Sequence, residues 1–234
     1  MLSFDGLTLT QGTFTLVADA GFPAGEVIAL IGPSGAGKST LLAAIAGFLV
    51  PARGRVLWDG ADLTGLPPGQ RPVSMLFQDN NLFAHLTALQ NVGLGLRPDL
   101  RLSDQEREAC EIALAHVGLA GFGDRKPGAL SGGQQSRVAL ARVLVSDRPL
   151  VLLDEPFAAL GPALKDEMLD LVKTRLHAAG KTVIMVTHDP ADARRAAGLS
   201  ALVAEGRVAA PVPTGALLDN PPTALADYLG HDGS

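Results

Sequence analysis

The fold is decided by the stretch Val27-Ile-Ala-Leu-Ile-Gly-Pro-Ser-Gly-Ala-Gly-Lys-Ser-Thr-Leu-Leu, in which an apolar run meets a glycine-rich turn. The pattern G-x-x-x-x-G-K-[ST] is met by Gly32, Gly37, Lys38 and Ser39. The apolar start predicts a buried strand, and the apolar residues after the lysine predict a helix. The pattern therefore stands in the strand-turn-helix setting that it needs in order to bind phosphate.

This phosphate loop has the chemistry of a nucleotide site. Its glycines allow successive backbone N–H groups to point at one anion, and the following helix adds the positive end of its dipole. Lys38 supplies a positive charge for the β- and γ-phosphates, and Ser39 supplies a hydroxyl for Mg²⁺, which prefers oxygen ligands. An ordinary glycine-rich turn is the weaker alternative, because motif and context agree. The predicted binding residues are Gly32, Pro33, Ser34, Gly35, Ala36, Gly37, Lys38, Ser39 and Thr40.

Length, charge and cysteine content narrow the class of protein. A chain of 234 residues can bury a sizeable core, either as one domain or as a domain with a subdomain. The net charge of -5 gives no attraction towards nucleic acid, and the one cysteine, Cys110, allows no intramolecular disulfide. The sequence shows neither a signal-peptide pattern nor an apolar stretch of membrane-spanning length. We therefore expect a soluble protein that reaches any membrane through a partner.

Apolar strands alternate with helices along the chain, which predicts an α/β fold with a mainly parallel core sheet. We expect short antiparallel strands within residues 2–22, core strands at 27–31, 73–77, 150–153 and 183–186, and helices at 103–118 and 165–179. Residues 79–145 carry mostly helix signals, which predicts a helical subdomain inserted into the core. We expect a single domain over residues 1–230 and a tail at 231–234.

Polar residues follow several of the predicted strands, where ligands bind in open α/β sheets. Asp154 is suited to hold Mg²⁺, and Glu155 is a candidate general base or water-orienting group. His188 is a candidate contact for a γ-phosphate, and Gln78 could ligate Mg²⁺ through its amide oxygen or orient water. By themselves, a single histidine or glutamine is more often structural, and Asp-Glu after a strand could start a solvated helix.

A second glycine-rich segment, Ser131-Gly132-Gly133-Gln134, immediately precedes a predicted helix. Its hydroxyl and its glycine N–H groups predict another phosphate cradle at a helix start. A plain helix capped by Ser131 is the alternative.

These motifs occur in the order and rough spacing of an ABC-type ATPase, which the chain resembles over nearly its whole length. The phosphate loop, Gln78, the segment at Ser131, the strand before Asp154 and His188 are similar to that family's Walker A, Q-loop, signature, Walker B and switch histidine. The resemblance implies a P-loop NTPase fold with an added antiparallel β subdomain, and ATP and Mg²⁺ as ligands. It also implies a head-to-tail homodimer in which Ser131 of one chain contacts the nucleotide held by the other.

A closer resemblance is to the ATP-binding subunits of bacterial thiamine importers. It rests on Ile45-Ala-Gly-Phe-Leu, on the segment Arg71-Pro-Val-Ser-Met-Leu-Phe-Gln-Asp-Asn-Asn-Leu-Phe-Ala-His-Leu-Thr and on Gln90-Asn-Val-Gly-Leu-Gly-Leu. The resemblance implies that ATP hydrolysis energises import of thiamine or thiamine phosphates through an integral membrane permease, with a periplasmic solute-binding protein as an indirect partner. It implies a peripheral location at the cytoplasmic face of the bacterial inner membrane, no nucleic acid partner and no C-terminal regulatory domain. Import of another solute, a soluble non-transport ABC ATPase and a P-loop kinase are the alternatives.

Three positions depart from the family pattern. Gln11 stands where an aromatic residue that stacks on adenine is expected, and Phe14 nearby is a candidate core residue. Gly161 replaces an aspartate that reaches across the dimer, and Ser136 replaces a glutamine. We hypothesise that the glycine weakens coupling between the two nucleotide sites.

Overall fold

The computed structural model describes residues 1–230, and the predicted tail at 231–234 lies outside the described residues. The strands, numbered in chain order, are β1 (Leu2–Gln11), β2 (Phe14–Ala18), β3 (Gly21–Phe22), β4 (Val27–Ile31), β5 (Arg53–Trp58), β6 (Ala61–Asp62), β7 (Val73–Leu76), β8 (Leu150–Asp154), β9 (Thr182–Val186), β10 (Leu199–Ala204), β11 (Arg207–Val208) and β12 (Val212–Pro213). The α-helices are α1 (Lys38–Ala46), α2 (Ala88–Gly93), α3 (Asp104–His116), α4 (Gly132–Val145), α5 (Pro162–Leu171), α6 (Pro190–Ala196), α7 (Thr214–Asp219) and α8 (Thr223–Leu229).

A parallel sheet forms the centre of the molecule, in the order β10-β4-β9-β8-β7. Every residue of β4, β8 and β9 is buried. Their unbroken apolar runs suit strands that are covered on both faces. The predicted α/β fold with a mainly parallel core sheet is confirmed.

An antiparallel sheet continues the core on one side, with β1 between β2 and β5 and β11 joining β2 to β10. The antiparallel strands expected within residues 2–22 are present as β1, β2 and β3, but the first is longer than expected, at 10 residues. Its pairing with β5 shifts register between Asp5 and Thr8, where Gly6 has a φ of 54°. A bulge at this glycine lets the strand continue where its alternating pattern breaks. Residues 61–72, which are rich in glycine and proline, include the short strand β6.

Helix α1 packs between the two sheets, with contacts to both β1 and β8. Leu41, Leu42 and Ile45 are fully buried, and the helix is apolar around most of its circumference. It ends at Ala46, followed by Gly47 in the left-handed conformation, as the sequence predicts. The phosphate loop is therefore anchored on both sides, by a buried strand and by a buried helix.

Helices α2, α3 and α4 pack against one another within the segment expected to form the helical subdomain. Ser103 and Glu106 form a capping box at the start of α3. Cys110 lies buried on this helix, and burial raises the pKa of its thiol to about 11. The thiol therefore contributes to packing. The division of the chain into a core and a helical subdomain stays a prediction.

The helix expected at 165–179 begins earlier and changes geometry. Helix α5 starts at Pro162, whose fixed φ suits the first turn, and a π-helical segment (Val172–His177) follows it. The C-terminal part forms two short helices, α7 and α8. No helix within residues 1–230 has both the length and the apolarity needed to cross a membrane.

Candidate nucleotide-binding site

The carboxyl ends of the parallel strands bring the phosphate loop, Asp154 and His188 to one edge of the sheet. The register places Leu30 of β4 and Asp154 of β8 on either side of Val186 in β9. A cavity of about 410 Å³ opens there, lined by Gln11, Phe14, Glu155 and most of residues 34–40. The predicted nucleotide-binding loop thus forms the wall of a real cavity.

Two glycines of the phosphate loop allow close backbone approaches. Gly32 has a φ of 150°, and a Cβ atom there would lie 2.0 Å from the carbonyl oxygen of Val203 in β10. Gly37 has a φ of 99°, and a Cβ atom there would lie 2.7 Å from the Phe14 ring. The loop can therefore curl into its anion-binding shape only with glycine at these positions.

We expect Gly32→Ala to destabilise the fold by about 3 kcal/mol or more, because backbone strain adds to a clash with a carbonyl that cannot move freely. Gly35→Ala is the matched control, since Gly35 also has a positive φ, of 78°, but a Cβ atom there meets no atom of the described chain within 4 Å. It should lose only about 1–2 kcal/mol. Urea unfolding measures the free energy of unfolding of both variants. Equal losses of stability would contradict the role of the close approach between Gly32 and the Val203 carbonyl.

The Lys38 side chain is held inside the phosphate loop by contacts with the protein itself. Its side chain is buried (7% exposed), and Nζ donates hydrogen bonds to the carbonyl oxygens of Gly32 at 2.7 Å and Pro33 at 2.8 Å. Burial lowers the pKa of this ammonium, and the nearby carboxylates of Glu155 and Asp154 act in the opposite direction. An ammonium has three donors, so the third remains for a phosphate oxygen.

Ser39 and Asp154, both predicted as Mg²⁺ ligands, lie together. The Ser39 hydroxyl donates to Oδ1 of Asp154 at 3.0 Å. Burial raises the pKa of Asp154, and the bond from Ser39 counteracts this. Within residues 1–230, no cluster of three or more His, Cys, Asp or Glu side chains could hold a metal alone. A hydroxyl beside a carboxylate fits Mg²⁺, which takes one or two carboxylates together with phosphate and water oxygens.

Glu155 and His188 form a second pair beside this cavity. Oε2 of Glu155 lies 3.3 Å from Nδ1 of His188. Glu155 has a φ of 45°, which is uncommon for a residue with a side chain, and its N–H donates to the carbonyl oxygen of Val186 at 3.2 Å. The strained turn after β8 is thus tied to β9, and the two candidate catalytic side chains are neighbours.

Gln78 and the segment 131–134 lie apart from these groups. Gln78 is exposed just beyond β7, the outermost parallel strand, and is not among the described residues that line the cavity. Ser131 caps α4: its hydroxyl accepts from the Gln134 N–H at 3.3 Å, and its own N–H donates to the Gln134 side chain at 2.9 Å. Ser131 and Gly132 at this helix start are exposed and therefore accessible to an anion.

Phe14 is a site residue that sequence reasoning placed in the core. Gln11 and Phe14 pair directly across the β1–β2 hairpin, and both line the cavity. The half-buried Phe14 ring therefore lies opposite position 11, where an aromatic residue is expected and this chain has Gln11. The hairpin register, which depends on the two-residue turn between the strands, was the signal that could have identified it.

Lys165 is a second residue that the sequence did not single out. Its Nζ lies 2.7 Å from Asp189 and 2.6 Å from Asp192, and Asp192 accepts a hydrogen bond from the Thr187 hydroxyl at 2.9 Å. These contacts join α5 to the chain on both sides of His188. The half-buried network supports the loop that follows β9.

Comparisons with known proteins agree with one another. A family model described as ABC transporter matches residues 18–158. The thiamine import ATP-binding protein ThiQ of Cereibacter sphaeroides is 63% identical over 230 residues, covering 98% of this chain and 100% of the relative. ThiQ of a Ruegeria species is 60% identical over the same shares of both chains. A solved dimeric ATP-binding cassette in a post-hydrolysis state, bound to ADP and Pi, matches with a TM-score of 0.81 and 31% identity over 92% of this chain and 99% of that one.

Proposed function

The chain belongs to the ABC transporter family, and from this premise we propose that it binds and hydrolyses ATP with Mg²⁺ to energise import of thiamine or thiamine phosphates. The observation that carries the proposal is the contact between Ser39 and Asp154 at 3.0 Å, beside the buried Lys38. It combines at one edge of the sheet an ammonium for phosphate and an oxygen pair for the metal. The relatives named for thiamine import support the choice of solute.

The proposed roles follow the geometry of each side chain. Ser39 and Asp154 would hold Mg²⁺, which would supply positive charge to the phosphates. Glu155 would accept the proton of the attacking water, and His188, whose Nδ1 lies 3.3 Å from that carboxylate, would contact the γ-phosphate. Gln78 completes the metal site only if its exposed loop closes towards the cavity.

We also propose a homodimer, because the site is incomplete within one chain. The exposed start of α4 at Ser131 is not among the described residues that line the chain's own cavity. A second chain placed head to tail supplies these N–H groups to the nucleotide. The dimeric cassette with the same fold supports this arrangement.

An exposed aromatic surface supports a membrane permease as the further partner. Phe48 is 58% exposed and Phe83 is 48% exposed. Phe48 borders a groove of about 270 Å³ that also includes Asn81 and Arg142. Exposed apolar groups around a groove are typical of protein interaction sites. Docking there places the chain peripherally at the cytoplasmic face of the bacterial inner membrane, with a periplasmic solute-binding protein as an indirect partner.

Co-expression with the permease tests the proposal, with co-purification and thiamine uptake into proteoliposomes as readouts. We expect ATP-dependent uptake by the wild type, and loss of co-purification in Phe48→Ala. Ile112→Ala is the matched control, because Ile112 is similarly exposed (49%) but lies on α3. A chain that hydrolyses ATP but retains no membrane protein would contradict the transport role.

Gly161→Asp tests the hypothesis of weakened coupling. Gly161 precedes α5, and a Cβ atom there meets no atom of the described chain within 4 Å, so an aspartate fits. We expect the Hill coefficient or the ATPase rate to change in the presence of the membrane partner, with unchanged ATP affinity of the monomer. Gly65→Asp, in another open position, controls for the added charge. Identical cooperativity and rate in wild type and Gly161→Asp would show that the missing carboxylate has no consequence.

A further inference from the structure

The C-terminal helix α8 reaches back to the candidate catalytic centre. The hydroxyl of Tyr228 donates a hydrogen bond to the backbone carbonyl oxygen of His188 at 3.0 Å, across 40 residues of sequence. This contact is made to His188 itself. The Lys165 network holds the side chain of the neighbouring Asp189. The N–H of the peptide between His188 and Asp189 donates to the Thr187 hydroxyl oxygen at 3.1 Å, so Tyr228 adds the bond on the carbonyl side of that peptide.

Helix α8 is well placed to act as a support. Leu225 is fully buried in the same apolar cluster that Tyr228 and Leu229 pack against. The Tyr228 ring is half-buried, and its burial raises the pKa of the phenol, as do the carboxylates of Glu155 and Asp189. The phenol therefore stays protonated at neutral pH and remains a donor.

The His188 imidazole depends on such a support. Its side chain is 57% exposed, and its contact with Glu155, at 3.3 Å, is longer than an optimal hydrogen bond. The rotamers open to a side chain depend on its backbone φ and ψ, so a shift of the His188 backbone would carry the ring away from Glu155. The carbonyl that Tyr228 holds belongs to the peptide unit directly next to the Cα atom from which the ring projects.

We propose that Tyr228 is a positioning residue, which fixes the His188 peptide so that the imidazole stays beside Glu155 at the γ-phosphate position. The proposal rests on the proposed function, because the position of the ring matters only if His188 contacts the nucleotide. The C-terminal helix then acts in the ATPase centre without touching ATP.

Tyr228→Phe tests this with little structural disturbance, since the ring is kept and only the hydroxyl is removed. We expect kcat to fall about three- to ten-fold, the factor that corresponds to the loss of one hydrogen bond, with the KM for ATP unchanged because the phosphate loop is intact. Thr223→Val, which removes a hydroxyl from the first residue of the same helix, should leave kcat unchanged. Thermal unfolding confirms that both variants are folded.

A double-mutant cycle separates positioning from general stabilisation. In a His188→Ala background there is no imidazole to position, so Tyr228→Phe should have no further effect on kcat. An equal loss in both backgrounds, or a wild-type kcat for Tyr228→Phe, overturns the proposal. Failure of the proposed function would look different: the wild type would not hydrolyse ATP, or His188→Ala would match it.

Discussion

Lys38→Ala is expected to reduce ATP hydrolysis below detection, by at least about 10²–10³-fold. Nζ already lies inside the loop, bonded to the carbonyl oxygens of Gly32 and Pro33, and an ammonium has a third donor available for an oxygen of the β- or γ-phosphate. Alanine leaves the glycine N–H groups in place but removes the buried positive charge. Phosphate release at saturating Mg-ATP measures the loss.

Lys173→Ala is the control for Lys38→Ala, because it removes an exposed lysine from the π-helical segment. It should retain wild-type hydrolysis. Circular dichroism should show that both variants are folded. Near-normal turnover by folded Lys38→Ala would rule out the phosphate-loop assignment.

Glu155→Gln is expected to keep ATP binding and to slow hydrolysis by about 10²–10⁴-fold, because an amide cannot accept the proton of the attacking water. The substitution keeps the shape of the side chain near His188. It also removes a negative charge next to Asp154, whose pKa that charge helps to raise. With turnover blocked, Mg-ATP should trap the dimer, which size-exclusion chromatography detects.

Glu205→Gln provides a closely matched control. Glu205 is also a glutamate with positive φ, 50° compared with 45° at Glu155, but it lies in the exposed turn between β10 and β11. It should hydrolyse ATP normally. A Glu155→Gln variant that turns over at the wild-type rate would exclude the general-base role, and a monomer in Mg-ATP would exclude the sandwich dimer.

The core of the fold could be predicted because its signals are local. Strands β4, β8 and β9 are unbroken apolar runs, and a glycine at each end of α1 marks its limits. The length of β1 could not be predicted, because its alternation breaks at Gly6 and only the partner strand β5 shows that the strand continues. Helix α5 starts at Pro162, earlier than expected, although the fixed φ of proline is a local signal for the first turn of a helix.

The candidate site could be predicted only where its residues belong to a motif. Ser39 and Asp154 are far apart in sequence, yet Ser39 belongs to the phosphate-loop motif that follows β4 and Asp154 ends β8, so their meeting was foreseeable. Tyr228 and Lys165 carry no such signal. Their contacts with the His188 loop depend on how α5 and α8 pack on the sheet, which sequence periodicity does not specify.

The strand order of the parallel sheet affects how the protein folds while it is being synthesised on the ribosome. Strand β4 pairs with β9 and β10, so Leu30 meets Val186 and Ile31 meets Leu202. At roughly 5–20 residues per second, on the order of ten seconds pass between synthesis of β4 and of its first partner. During that time the entirely apolar strand β4 and the apolar helix α1 have no completed sheet to pack against. Nascent chains should therefore engage chaperones until β10 emerges, and only then can the phosphate loop assemble.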